Sequence, residues 1–204
     1  MNYSICVSGA AAGKTVEASR ELAERVGTAI AKAGHITTSG ATVGLSFFAA
    51  RAAKEAGGMS IGFSPASSLR EHMYKYRLPI GVYDFVNFTG MHYVGRDVHL
   101  IQSSDAVITI GGRFGSLHEF TTAFESAMPC GILLGSGGTA DLLPEIIDRL
   151  DETSKAPIFM DDNPERLVQK IIDCLDKDFS DIDAQDYAQH WYLAHDVDKK
   201  RSRG

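Results

Sequence analysis

The sequence predicts an α/β fold, a single domain built on a Rossmann-like, doubly wound parallel sheet. Short β-branched or apolar runs alternate with longer segments of helical period, which is typical of parallel strands covered by helices on both faces. Small-residue turns follow several of these runs, where an open parallel sheet binds its ligands. At 204 residues, 44% of them hydrophobic, the chain has enough apolar material for one sizeable core.

Six short apolar runs are predicted strands: Tyr3–Ser8, His35–Thr38, Ser60–Phe63, Ala106–Ile110, Gly131–Leu134 and Ile158–Met160. Six longer segments carry apolar residues at three- and four-residue steps and are predicted helices: Val16–Ala33, Leu45–Ala56, Tyr93–Gln102, Leu117–Met128, Ala140–Leu150 and Pro164–Leu175. Residues 64–92 fit neither pattern, and we expect an irregular segment there. Long irregular segments in compact domains are often functional.

The pattern divides the chain into residues 1–177, the Rossmann-like domain, and residues 178–204, a polar C-terminal extension. The extension is acidic at first and ends in a basic run. We predict a surface helix near Tyr187–Ala194 and a disordered end, because the final residues offer little apolar material to pack.

Composition excludes several classes of function. A net charge of −6 argues against a broad cationic surface, so we expect no nucleic-acid partner. No run approaches the roughly 18 apolar residues of a membrane span, and we expect a cytoplasmic protein without a membrane partner. The three cysteines are far apart, lie in apolar surroundings and are predicted to be reduced, buried thiols. Histidine spacing indicates no metal site, because Thr122 stands where a zinc-protease motif beginning at His118 needs its second histidine. We assign no cofactor.

The glycine loop after Ala106–Ile110 is the strongest functional signal. It joins an apolar strand to a helix, so its backbone can approach an anion closely, and the helix start offers free N–H groups. We therefore predict a phosphate site formed by Gly111, Gly112, Arg113, Gly115 and Ser116. A structural alternative stands beside it, because Ser116 and Glu119 also match the S-x-x-E capping box. The two roles are compatible.

The turn at Gly9–Thr15 resembles a nucleotide-binding P-loop but departs from it. Three residues separate Gly9 from the Gly13–Lys14 pair, where the motif needs four to encircle a phosphate. No acidic residue ends Ala106–Ile110 as a magnesium-binding strand would require. A plain β–α turn is the favoured interpretation.

Taken in order, these motifs resemble those of the LOG-like family of the SLOG superfamily, long mislabelled as lysine decarboxylases. The similar stretches are the strand ending in Ser8-Gly9, the turn Ser39–Leu45, the segment Glu55–Gly62, Met91–Arg96, and Ser104–Glu119 with its glycine loop. The resemblance covers roughly residues 3–135, and the glycine loop is its most specific part.

The resemblance implies a Rossmann-like homodimer that binds a nucleoside monophosphate or a related phosphorylated small molecule. Its cytokinin-activating branch hydrolyses the N-glycosidic bond to a free base and ribose 5-phosphate. An arginine and a glutamate act there, and they match Arg96 and Glu119. The matching turns add Ser8, Gly9, Gly40 and Gly44 to the predicted nucleotide-binding residues.

The chain departs from the family pattern at three places. The family loop Pro-Gly-Gly-x-Gly-Thr has Ile110 for proline, Ser116 for threonine and one additional residue between its glycines. The Arg-Lys pair reads Arg96-Asp97, and the second turn has Ser39 for its first glycine. Taken alone, Arg96 and Asp97 are typical surface residues. A non-catalytic carrier or sensor, similar to the molybdenum-cofactor-carrier branch, therefore stands beside the hydrolase hypothesis.

Overall fold

A computed structural model describes residues 2–150 and 156–180. Within these ranges one sheet contains seven strands, and every pair of neighbouring strands is parallel. The strands are β1 (Ser4–Gly9), β2 (Ile36–Ser39), β3 (Met59–Ser64), β4 (Phe85–Phe88), β5 (Ala106–Ile110), β6 (Cys130–Leu133) and β7 (Ile158–Asp161). Their order is β4-β3-β2-β1-β5-β6-β7, which confirms the predicted doubly wound α/β sheet.

Eight helices of the described residues connect the strands: α1 (Lys14–Ala18), α2 (Arg20–Lys32), α3 (Leu45–Glu55), α4 (Leu69–Tyr74), α5 (His92–Gln102), α6 (Phe114–Glu125), α7 (Gly138–Leu150) and α8 (Pro164–Asp178). One core cluster joins the sheet to α2, α3 and α8, and a second joins it to α5, α6 and α7. A Cβ on Gly27 would overlap the Ala49 carbonyl, so glycine there allows α2 and α3 to pack closely.

Two predicted segments differ from the structure. The helix expected over Val16–Ala33 is divided at Ser19, whose Oγ donates to the Ser136 carbonyl oxygen at 2.8 Å. The segment 64–92 is not irregular throughout, because it contains α4 and β4. Helix α4 is capped by Ser68, whose Oγ accepts from Glu71 N at 3.2 Å. Strand β4 is an edge strand and pairs with β3 alone in the described sheet.

The strand order reverses between β1 and β5. Chain connections run to one side of the sheet from β1 and to the other side from β5, so a crevice opens at the carboxyl ends of these two strands. Register places Ser8 beside Thr109 and Gly9 beside Ile110 at this edge. The predicted glycine loop and the first two turns therefore meet at one place.

None of the described helices has both the length and the apolar character needed to cross a membrane. Cys6 and Cys130 are buried free thiols, as predicted, whereas the free thiol of Cys174 is only half-buried. Helix α8 continues to Asp178, just inside the predicted extension. The helix and the disordered end predicted further along that extension lie outside the described residues.

Candidate functional site

A polar cavity of about 240 Å³ lies in the crevice between the carboxyl ends of β1 and β5. The turns after β1, β2 and β5 form its sides, and α5 and α6 contribute charged side chains. Its lining residues are Gly9, Ala10, Ala11, Gly40, Thr42, Ser46, Tyr93, Arg96, Asp97, Arg113, Gly115, Ser116 and Glu119. This is the position at which open parallel sheets bind their ligands.

The turns after β1 and β2 form one side of the cavity by close backbone packing. Leu45 N donates to the Ala10 carbonyl oxygen at 2.9 Å, which joins the start of α3 to the first turn. A Cβ on Gly44 would overlap that same carbonyl, and the residue has a φ of 86°. A Cβ on Gly9 would lie 2.8 Å from Leu45 Cβ. Both glycines are thus required by the approach of the two turns.

Arg96 lies against the turn after β2 rather than on the surface. Its side chain is buried, which corrects the interpretation of Arg96 as a surface residue. Nη1 donates to the Phe63 carbonyl oxygen at 3.1 Å. A Cβ on Gly40 would overlap the guanidinium, so the glycine leaves room for the arginine in this position.

Asp97 is also buried, and it contacts both a cation and an imidazole. Arg96 Nε lies 3.0 Å from Asp97 Oδ1, which makes an ion pair. Neither of these two atoms has a hydrogen-bond partner among the described residues. His118 Nδ1 lies 3.1 Å from Asp97 Oδ2. The interpretation of Asp97 as a surface residue is therefore wrong, because α5 packs this carboxylate against α6.

Glu119 reaches the floor of the cavity from α6. Its carboxyl is buried, and Ser8 Oγ donates to Glu119 Oε2. Burial raises the pKa of Glu119 to about 7; Arg96 lowers it, Asp97 raises it, and the Ser8 hydrogen bond lowers it. The carboxyl therefore titrates near neutral pH, unlike an exposed glutamate.

The first two glycines of the loop after β5 are held by the loop after β6 and by the first turn of α7. Gly111 N donates to Ser136 Oγ at 2.8 Å, and Ala140 N donates to the Gly111 carbonyl oxygen at 2.9 Å. Thr139 N donates to the Gly112 carbonyl oxygen at 3.2 Å. Because these bonds occupy the Gly111 amide, a ligand in the cavity would contact the residues that follow Gly112 in the loop.

Helix α6 begins at Phe114, with Arg113 as its N-cap and no side-chain cap. The first intrahelical bond runs from Leu117 N to the Arg113 carbonyl oxygen at 3.0 Å. The amides of the first turn point beyond the helix start, where the macrodipole is positive. Ser116 lies inside the helix and Glu119 accepts from Ser8, so the capping-box interpretation is wrong.

The structure brings most of the predicted site residues to the cavity. Seven line it: Gly9, Gly40, Arg96, Arg113, Gly115, Ser116 and Glu119. Ser8 lies beneath the cavity, bonded to Glu119, and the other three pack behind its sides: Gly44, Gly111 and Gly112.

Sequence reasoning missed Tyr93 as a lining residue. It precedes Arg96 by three positions on α5, and that spacing places two residues on one helix face. The described residues contain no group of three His, Cys, Asp or Glu that could hold a metal ion.

The comparison with protein families identifies the chain. The model of the SLOG cluster4 family matches residues 2–168. This chain belongs to the SLOG cluster4 family. An uncharacterized protein from Archaeoglobus fulgidus is 32% identical over 114 residues, which are 56% of this chain and 70% of that protein.

Two solved structures share the fold of the SLOG cluster4 chain over most of its length and over almost all of their own. The structural genomics target TM1055 has a TM-score of 0.75 and 24% identity, covering 85% of this chain and 99% of the target. The molybdenum cofactor binding protein of Rippkaea orientalis has a TM-score of 0.70 and 26% identity, covering 86% and 98%. The predicted family and fold are confirmed, whereas the homodimer and the cytoplasmic location stay predictions.

Proposed function

We propose that this SLOG protein binds a phosphorylated small molecule of nucleotide type, with its phosphate at the start of α6. The observation that carries the proposal is the position of that helix start. Its uncapped first turn opens into a polar cavity at the point where the strand order reverses.

The donors around this position suit a phosphate. Gly115 and the buried Ser116 line the cavity, so the amides of the first turn and the Ser116 hydroxyl are available to phosphate oxygens. Arg113 also lines the cavity, is exposed, and adds a guanidinium that can bind phosphate in a bidentate manner. Helix dipole, amides and cation all favour an anion here.

The aromatic side chain in the lining suits a heterocyclic ring. Tyr93 is 47% exposed, and its ring lies 5.6 Å from that of Tyr76 in an edge contact. Tyr76 Oη lies 2.8 Å from His92 Nδ1, which orients the pair. A ring held in this way offers a stacking surface to a purine or a pterin. The site therefore favours a phosphorylated heterocycle over a simple sugar phosphate.

Calorimetry with AMP, ribose 5-phosphate and adenosine tests this proposal. We expect AMP to bind most tightly and adenosine to lose roughly tenfold or more, because it lacks the charge that the helix start binds. Arg113→Ala should weaken AMP binding by about tenfold. Arg149→Ala, which removes an exposed arginine of α7, is the matched control. Equal affinities for AMP and adenosine would overturn the proposal.

A second candidate function is hydrolysis of the N-glycosidic bond, and the position of Glu119 favours it. Glu119 lines the cavity beside Arg96, the pair that the LOG-like resemblance assigns to catalysis. An ionised Glu119 would stabilise positive charge at C1′ or activate the attacking water. Release of free adenine from AMP, abolished in Glu119→Gln, would support catalysis.

The alternative is a carrier that binds its ligand without turnover. It is favoured by Asp97, which pairs with Arg96 and lowers the net positive charge of the floor. It is also favoured by the fold shared with a molybdenum cofactor binding protein. Measurable binding of AMP without release of adenine would assign the carrier function and exclude hydrolysis of this nucleotide.

A further inference from the structure

Two buried carboxyl groups, Asp97 on α5 and Glu119 on α6, share the floor of the cavity with one buried cation, Arg96. We propose that Asp97 favours the protonated form of Glu119, so that Glu119 acts as a hydrogen-bond donor to the ligand. The site then selects a ligand that presents an acceptor oxygen or ring nitrogen to Glu119. The part concerning the ligand rests on the proposed function, whereas the protonation does not.

Arg96 pairs with Asp97 and not with Glu119. Its Nε lies 3.0 Å from Asp97 Oδ1, and its Nη1 donates to the Phe63 carbonyl oxygen at 3.1 Å. Among the described side chains, Arg96 has an ion contact with Asp97 and none with Glu119 within salt-bridge distance. Asp97 is therefore the carboxylate that pairs with the buried cation.

The surroundings of the Glu119 carboxyl favour its protonated form. Ser8 Oγ donates to Oε2, which leaves Oε1 to carry the proton. Two like charges in a water-poor site cannot both be stable, so one of two neighbouring carboxyls holds its proton. Burial, the charge of Asp97 and a hydrogen bond with the Asp97 side chain raise the pKa of Glu119, and Arg96 and the Ser8 hydrogen bond only partly oppose them.

The other titratable groups around Glu119 do not replace Asp97. Cys6, on β1, is buried, and burial raises the pKa of its thiol, so it adds no charge. His118, on α6, contacts Asp97 Oδ2, the side of the carboxylate away from Arg96. Arg113 is the N-cap of α6, six residues before Glu119, at the helix start where the ligand phosphate is proposed to bind. With Glu119 protonated, the Arg96–Asp97 pair is neutral and the floor needs no further counter-ion.

The chemical consequence separates this site from a hydrolytic one. A protonated carboxyl donates a hydrogen bond, but it cannot take a proton from water or stabilise a developing cation. Asp97 stands where the family pattern has a lysine, and a lysine would favour the ionised carboxylate instead. Asp97 is thus a residue that determines whether Glu119 donates or accepts.

Side-chain carbon NMR of protein labelled at the glutamate carboxyl tests the protonation without any ligand. The Glu119 signal is assigned by its loss in Glu119→Gln. We expect it to titrate near pH 7 in the wild type and at least about one unit lower in Asp97→Asn, with Asp97→Ser as a second variant. Asp148→Asn, at an exposed position of α7, should leave it unmoved. The proposal would be overturned if wild-type Glu119 titrated in the same pH range as the exposed glutamates. It would also be overturned if neither Asp97 variant lowered the pKa of Glu119.

Calorimetry with AMP at pH 8, in two buffers of different ionisation enthalpy, tests the consequence for the ligand. The AMP phosphate is already a dianion at this pH, so it takes up no proton of its own. We expect uptake of up to about one proton per bound AMP in the wild type and none in Glu119→Gln. Binding without proton uptake would contradict the donor role. No binding at all would overturn the proposed function, while the NMR titration would still decide the protonation.

Discussion

The two sides of the cavity both contain glycine turns, but they are built differently. On the side of β1 and β2, two turns touch directly, with the Ala10 carbonyl lying where a Cβ of Gly44 would be. On the side of β5, the turn at Gly111 and Gly112 is held by hydrogen bonds with the loop after β6 and with the first turn of α7. Gly44, Gly111 and Gly112 pack behind the two sides and do not line the cavity. Glycine-rich turns here give shape, and the neighbouring side chains and helix start give chemistry.

The largest effect is expected at the first side, from Gly44→Ala. The new Cβ would overlap a backbone carbonyl, and the residue would keep a φ of 86°, so we expect a loss of roughly 3–5 kcal/mol in the free energy of unfolding. Gly13→Ala is the matched control, because Gly13 has a φ of 105° but no atom near its Cβ position. Urea denaturation measures both. Equal losses in the two variants would show that the contact with Ala10 is unimportant.

A smaller loss of stability, with a larger loss of binding, is expected from Gly112→Ala on the other side. Its Cβ would lie 2.5 Å from Ser116 Cβ, so the start of α6 must shift. We expect about 2 kcal/mol of destabilisation and about tenfold weaker AMP binding. Gly135→Ala, with a φ of 74° and open space around it, controls for backbone strain alone. Unchanged AMP affinity in Gly112→Ala would separate this turn from the binding site.

The pH dependence of stability distinguishes the floor from both sides. The folded-state pKa of Glu119 is about 7, above its ordinary value of 4.5, so the folded protein holds more protons between these values. Stability is therefore lost as pH rises through this window. In Glu119→Gln this loss should be absent. The free energy of unfolding of the variant, relative to that of the wild type, should therefore rise by about 2 kcal/mol from pH 5 to pH 8. Thermal unfolding at both pH values measures the gain, with exposed Glu17→Gln as control. A gain independent of pH would contradict the raised pKa.

The smallest effect is expected from Tyr93→Leu at the mouth. Loss of the aromatic surface should weaken AMP binding by about fivefold to tenfold and leave ribose 5-phosphate binding unchanged. Tyr74→Leu, at a tyrosine that is 74% exposed and outside the cavity lining, is the control. Calorimetry with both ligands provides the test. An equal loss for both ligands would place the ring near the phosphate instead.

Much of the fold was predictable because strand alternation with helices is a local pattern. The missed strand, β4, is a four-residue edge strand whose side chains alternate between exposed and half-buried, so it lacks the apolar run of a central strand. The missed helix α4 did carry a local signal, since Ser68 and Glu71 have the spacing of a capping box. The irregular-segment prediction failed because both elements are short.

The site was predictable where it depends on strand ends and not where it depends on packing. Parallel strands bring their carboxyl ends to one edge, and for this reason the turn after β1 and the start of α6 meet there. The bond from Gly111 N to Ser136 Oγ joins loops 25 residues apart, and no local pattern indicates it. The burial of Asp97 depends on the contact between α5 and α6, which helical spacing alone does not specify.

Amide chemical-shift perturbation on titration with AMP tests the central claim most directly. We expect the largest shifts at the Gly115 and Ser116 amides. The Gly111 amide, which is bonded to Ser136, should change less, and Gly135 serves as a distant reference. Saturation of these shifts at the affinity measured by calorimetry would place the phosphate at the start of α6. Binding of AMP with its largest shifts away from Gly115 and Ser116 would contradict the account.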